Sequence, residues 1–297
     1  MTAPSTPRIL IIAGSDSGGG AGIQADIKTV TMLGGHAMTA ITAITAQNTV
    51  GVQAVHAVPT DMVVAQMRSV LDDIGVDAVK IGMIGSADTA RAVADVLEGL
   101  IHTRRRPGPV PGSRSPRAAV SQKEDQAPEH VRGDERGRAG DIPIVFDPVM
   151  VATSGAILAD ADTIAAFRRL MALATIVTPN LPELDALGGE AAVLAQTRAL
   201  LVKGGHGTGA MLTDRLLSRA GDQTRWDYPR IDTPHAHGTG CTLASAIAVG
   251  LAEDMALADA VARAIRFVRA SLEYAPGLGH GHGPMGQQCA TGFRCPA

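Results

Sequence analysis

One arrangement recurs along this chain and limits its folds more than any other feature. A short β-branched run ends in a loop of Gly, Asp, Pro or Asn, and a segment with apolar residues at helical spacing follows. Arg8–Ala13 is the first such strand, Asp16 to Gly22 its glycine-rich loop, and Ile23–Leu33 its helix, closed by Gly34 and Gly35. His36–Gln47 reads as a second strand and Gln53–Val58 as a short third. Asp61–Ile74 is helical, Ala78–Ile81 a strand and Asp88–Leu100 a helix. Further strands end at Asp147-Pro148, at Pro179-Asn180 and at Lys203-Gly204-Gly205, and Gly188–Leu200 has room only for a brief helix. Ala210–Thr213 and Leu216–Ser218 suggest a hairpin, and Thr239–Leu251 and Leu257–Tyr274 are the last helices.

Strands alternating with helices predict right-handed βαβ units: an α/β fold with a central, mostly parallel sheet covered on both faces. Such sheets bind ligands beyond the carboxyl ends of their strands, where most of the loops above fall. Only 2% of the residues are aromatic, so Ala, Val, Leu, Ile and Met must fill the core. The expected organisation is a disordered 1–7, one domain over 8–285 and a flexible tail over 286–297. A flexible insertion at about 102–140 interrupts the domain. It is rich in Arg, Pro, Gly and Ser and has too little apolar surface to offset the entropy of ordering. Arg104, Arg105 and Arg106 within it read as a solvated charge run.

A net charge of −3 without a basic stripe argues against nucleic acid, and no apolar run is long enough to span a bilayer. The expected location is the cytoplasm. Three cysteines make a disulfide framework improbable, and Cys289 and Cys295 in the tail are expected to be exposed free thiols.

The strongest local motif is His237-Gly238-Thr239-Gly240-Cys241-Thr242, directly before an apolar helix. A glycine turn opening a helix directs unpaired N–H groups and the helix dipole at whatever approaches, which makes an anion site. Cys241 falls in the first helical turn, where the dipole favours a thiolate able to take a proton from a hydroxyl. The loop Gly18-Gly19-Gly20-Ala21-Gly22 resembles a dinucleotide-binding turn, but Ala46-Gln47-Asn48 stands where its ribose-binding acid belongs. At other strand ends, Asp147, Asn180 and Glu183 offer oxygens suited to Mg²⁺, largely through water. Lys203 offers a compact charge for a polyphosphate.

Taken in order, AGSDSGGGAGIQAD, ITAQNTVGVQ, KIGM, DPVM, TPNLPE, VKGGH and HGTGCT resemble the hydroxymethylpyrimidine/phosphomethylpyrimidine kinases of the ribokinase-like superfamily. The resemblance implies a three-layer α/β/α fold and two successive ATP-dependent phosphorylations. The first acts on 4-amino-5-hydroxymethyl-2-methylpyrimidine and the second on its monophosphate, for thiamine biosynthesis. By motif, it implies that Gln47, Asp26 and Met83 line the pyrimidine pocket, and that Gly238, Gly240 and Cys241 form the anion hole with Cys241 as base. Lys203, Thr239 and Gly240 would face the ATP phosphates, and Asn180, Glu183 and Asp147 would organise Mg²⁺. His235-Ala236-His237 departs from the family's usual Asn-Thr-His. The expected partners are the pyrimidine and ATP, with a homodimer as a further possibility. The alternatives are a pyridoxine or pyridoxal kinase of the same superfamily and a non-catalytic pyrimidine sensor.

Overall fold

A computed structural model describes residues 6–105, 141–151, 158–206 and 209–293. Most of the expected insertion, residues 106–140, and Cys295 lie outside the described residues. The strands are β1 (Arg8–Asp16), β2 (His36–Gln47), β3 (Val52–Ala57), β4 (Ala78–Ile81), β5 (Ile144–Phe146), β6 (Ile176–Val177), β7 (Ala199–Val202), β8 (Met211–Ser218) and β9 (Gln223–Pro229). The α-helices are α1 (Gly22–Met32), α2 (Thr60–Asp73), α3 (Ala87–Arg105), α4 (Ala161–Leu173), α5 (Leu181–Ala186), α6 (Gly189–Leu194), α7 (Thr239–Ala252) and α8 (Leu257–Glu273).

The strands form one sheet in the order β3-β2-β1-β4-β5-β6-β7-β8-β9. From β2 through β7 all neighbours pair parallel, whereas β3, β8 and β9 add antiparallel edges. β1 shows why both faces must be covered. Leu10 and Ile12 enter a core with α2, α3 and α4, while Ile9, Ile11 and Ala13 enter a second core with α1, α7 and α8. Alternate side chains of one strand thus serve opposite layers, and the strand reads as an unbroken apolar run. This is the expected three-layer α/β/α architecture.

Four elements differ from the sequence expectation. The two segments expected to form a hairpin are one continuous strand, β8, and its hairpin partner is β9. Asp214 breaks the apolar pattern there, yet its side chain is buried and accepts hydrogen bonds from Gly204 N (2.8 Å) and Tyr228 OH (2.5 Å). α3 runs on to Arg105, past the expected start of the insertion, and α4 is a helix beyond those the pattern predicts. The expected loose tail is anchored as far as Phe293. Gln287 and Ala290 are buried, Gln287 Nε2 donates to Thr242 Oγ1 (3.1 Å), and Phe293 meets Phe267 edge-on. Cys289, as expected, is exposed and free. Among the described residues no helix is long and apolar enough to cross a membrane.

Candidate active site

The parallel strands deliver their loops to one end of the sheet, as this architecture requires. The first of these, the Gly18–Gly22 loop after β1, is closed on itself. Asp16 Oδ1 accepts from Gly18 N (2.8 Å), and Asp16 Oδ2 accepts from Gly20 N (3.0 Å) and Ala21 N (2.8 Å). His237 Nε2 lies 3.0 Å from Asp16 Oδ2. Burial works to raise the Asp16 carboxyl, but His237 and the N–H groups of Ala21 and Gly18 outweigh it and hold the group below the ordinary carboxylate range. The N–H groups that would cradle a dinucleotide phosphate already hold an anion of the chain itself.

The turn before α7 is built differently. Gly238, at φ +87°, is the N-cap and has no side chain to satisfy the first-turn N–H groups of the helix. A Cβ at Gly238 would collide with the Gly20 carbonyl oxygen, so the two glycine loops pack backbone to backbone. A Cβ at Gly240 would lie 3.3 Å from both Asp147 Oδ2 and Lys203 Nζ. Lys203 Nζ donates to Asp147 Oδ1 (2.8 Å), as does Thr178 Oγ1 (3.0 Å). Burial opposes the charge on Lys203, but Asp147 and Glu183 outweigh it and hold the ammonium protonated. Residues just after β5, β6 and β7 therefore converge on the Gly238–Cys241 turn at the start of α7.

Asn180 and Glu183 are close to this cluster, but they chiefly bond each other. They form the capping box of α5: Asn180 Oδ1 accepts from Glu183 N and Glu183 Oε2 accepts from Asn180 N, both at 2.8 Å. Burial, reinforced by Asp147, pushes the Glu183 carboxyl up to about 7 against the pull of Lys203. Among the described residues no group of three or more acidic, His or Cys side chains could hold a metal ion directly. The site still carries two neighbouring carboxylates, Asp147 and Glu183, with Lys203 as their shared cation. That excess of negative charge fits a hydrated dication held through water.

Gln47, at the end of β2, reaches the same region from the other side. Its Nε2 lies 3.0 Å from His237 Nε2, and its Oε1 accepts from Thr45 Oγ1 at 3.3 Å. His237 directly precedes Gly238, so the Gln47 amide is one side chain away from the anion turn. Met83 is part-buried, and its methyl group lies where a Cβ on Gly14 would be.

Two expectations fail on this geometry. Asp26 does not line a pocket: it is fully buried, with both oxygens on Lys80 Nζ (2.9 and 2.8 Å) and Oδ1 on Ser245 Oγ (2.8 Å). Nor is the Cys241 thiolate favoured. Burial pushes the thiol up to about 11; Lys80 and the Gly22 N–H pull it down, and Asp26 and Asp147 push it further up. The helix dipole alone was expected to govern this thiol, but desolvation is the larger effect. Sequence reasoning missed three participants: Asp16, His237 and Lys80. Asp16 carried a signal, since a carboxylate two residues before a run of glycines can fill their N–H groups.

An α/β sheet with strand-end loops, a helix start open to anions and a lysine beside it defines a small-molecule kinase. The family model described as phosphomethylpyrimidine kinase matches residues 16–106 and 134–286, and the chain belongs to that family. The hydroxymethylpyrimidine/phosphomethylpyrimidine kinase of Streptomyces coelicolor is 40% identical over 98% of this chain and 100% of its own length. A thiamine biosynthesis bifunctional protein of Geobacter sulfurreducens is 41% identical over 93% of this chain, which spans 51% of that protein. Among solved structures, the ADP complex of Bacillus subtilis pyridoxal kinase superposes with a TM-score of 0.75 at 27% identity, covering 96% of this chain and 98% of that one.

Proposed function

We propose that the chain transfers the γ-phosphoryl group of ATP to the hydroxyl of 4-amino-5-hydroxymethyl-2-methylpyrimidine. A second ATP then phosphorylates the monophosphate, giving the diphosphate used in thiamine biosynthesis. The observation that carries this reading is the junction at His237. It joins an amide able to grip the polar edge of a pyrimidine, Gln47, to an anion site flanked by a lysine, Gly238–Cys241 with Lys203.

In this reading Gln47 and Met83 hold the ring, and Lys203, Thr239 and Gly240 meet the ATP phosphates. The open N–H groups of α7 stabilise charge on the oxygens of the moving group. Mg²⁺, when bound, would neutralise charge on the ATP phosphates, and Asp147 and Glu183 would hold it through water, with Asn180 orienting Glu183. Cys241 takes the proton of the substrate hydroxyl. Its half-buried thiol, pushed up to about 11, is protonated at neutral pH, so only a small fraction of molecules carries the base at any moment. The free Cys241 and Cys289 suit a reducing cytoplasm. A homodimer would use the exposed Ile44 of β2, Val55 of β3 and Val50 in the turn between them.

Mass spectrometry of reactions with ATP should detect both the mono- and the diphosphate of the pyrimidine. Phosphate gained only by pyridoxal would favour the second reading, a pyridoxal kinase, which rests on the superposition with the B. subtilis enzyme.

A further inference from the structure

Gln47 lies where two hydrogen-bond chains meet, and together they dictate which end of its amide faces which partner. The first chain comes from the N-terminal loop. Asp16 Oδ2 accepts from Gly20 N and Ala21 N, so it is an ionised acceptor, and His237 Nε2 at 3.0 Å must bring it a hydrogen. The second starts at Thr45, whose single hydroxyl hydrogen goes to Ser15 O at 2.8 Å. Gln47 touches both: one end of its amide is 3.0 Å from His237 Nε2 and the other is 3.3 Å from Thr45 Oγ1. With Nε2 towards His237, an amide N–H would face a ring N–H, and Oε1 would face a hydroxyl whose hydrogen is already engaged. A half turn of the amide, whose two ends have nearly the same shape, satisfies both partners: Oε1 accepts from His237 and Nε2 donates to Thr45 Oγ1. The root of the side chain is held by the same loop, because Ser17 Oγ donates to Gln47 O (2.7 Å) and accepts from Gln47 N (2.8 Å).

We propose that His237, held by Asp16, is a positioning residue that fixes the polarity of the Gln47 amide, with Oε1 on the side of the Gly238 turn, and so selects a 4-aminopyrimidine over a 4-oxopyrimidine. The inference rests on the reading of Gln47 as the residue that grips the ring. Each end of the amide keeps one further bond for a ligand, a lone pair on Oε1 and a hydrogen on Nε2. A 4-aminopyrimidine matches them: its amine donates to Oε1, and its ring N3 accepts from Nε2. A 4-oxopyrimidine with a hydrogen on N3 reverses both, setting acceptor against acceptor and donor against donor. The polarity also sets direction. The hydroxymethyl group is on C5, next to the amine-bearing C4, so it falls on the Oε1 side, where His237 leads directly into Gly238. The opposite polarity would turn the ring over and carry the hydroxyl away from the anion turn.

The test titrates 4-amino- and 4-oxo-5-hydroxymethyl-2-methylpyrimidine into the protein by calorimetry. Wild type should bind the amino compound about 10²-fold or more tighter, because both hydrogen bonds to Gln47 are reversed in the oxo compound. His237→Met fills similar space without a donor and frees the amide to turn, so the preference should shrink about tenfold or more. His237→Gln again presents N–H groups to Asp16 and Gln47 and should keep the preference within about threefold of wild type. A merely structural His237 would weaken both ligands alike, so an unchanged affinity ratio in His237→Met overturns the proposal. Gln47→Ala separates the two readings. If it leaves both affinities unchanged, Gln47 does not grip the ring, and the proposal falls with that reading. If it abolishes the preference while His237→Met retains it, the role of His237 alone is lost. A measurement on wild type decides the matter if the His237 variants do not fold. With isotope-labelled glutamine side chains, the Gln47 amide protons should show nuclear Overhauser contacts to the Thr45 methyl group, and contacts to the His237 ring in their place overturn the proposal.

Discussion

The two glycine loops at the carboxyl end of the sheet share a sequence style and differ in electrostatics. Both are built on glycines, both open a helix, and they touch through Gly20 and Gly238. The N-terminal loop has its own anion, because Asp16 occupies the N–H groups of Gly18, Gly20 and Ala21. The second loop has none. Its cap is a glycine, and the nearest charges are the Lys203–Asp147 pair. Glycines allow a backbone to approach an anion closely. Whether the site is open to a ligand depends on which anion is already there. The first loop is thus a structural buttress for the second, with His237 as the link.

The largest effect should come from damaging the open loop at Cys241. Cys241→Ala keeps every backbone N–H of the turn, so ATP affinity should change little, while single-turnover transfer should fall about 10²–10⁴-fold. Because the thiol is pushed up to about 11, the wild-type rate should climb with pH across the neutral and mildly alkaline range, and the variant should lose that climb. A transfer rate within about threefold of wild type would reduce Cys241 to a packing residue.

Damage to the closed loop should appear as lost stability instead. Asp16→Ala removes the acceptor shared by the buried Gly20 N–H, the part-buried N–H groups of Gly18 and Ala21, and the His237 ring, and should lower unfolding stability by about 2–4 kcal/mol. The Asp16 carboxyl is held low in the fold, so its contribution is present above the ordinary carboxylate pKa and fades as pH falls through the folded value. Denaturant titrations should therefore separate wild type from variant widely at pH 7 and much less at pH 3. Equal stability at pH 7 would mean that the loop does not depend on its internal anion.

A smaller effect, opposite in sign, should follow from removing charge beside the open loop. Glu183 has its carboxyl raised to about 7, so its ionisation works against the fold as pH rises from the unfolded value of about 4.5 through 7. Glu183→Gln keeps an acceptor for Asn180 N and removes that charge. It should stabilise the protein by on the order of 2–3 kcal/mol at pH 8, with no gain at pH 4. Thermal unfolding at the two pH values checks this, and no gain at pH 8 would mean that Lys203 already neutralises Glu183 fully.

Local pattern determined a good deal of this protein. β2 and β4 have the bounds their sequences predict, and β5 ends where its sequence says, because apolar runs between turn residues specify a strand without outside help. The strand-end motifs were equally legible, since in a parallel sheet each loop after a strand must emerge at the same end. What failed to show locally was the pairing of charges across the sheet. Asp26 read as a pocket residue and Cys241 as a thiolate. Only the folded chain brings Lys80 to Asp26, 54 residues away, and packs enough atoms around the half-buried Cys241 for desolvation to outweigh the helix dipole. Asp214 hid the continuity of β8 and the glycines hid the anchored C-terminus for the same reason: their partners are distant in sequence. Backbone conformation follows largely from neighbouring residues. The ionisation of a buried group depends on what the tertiary structure packs against it and on how much water it excludes.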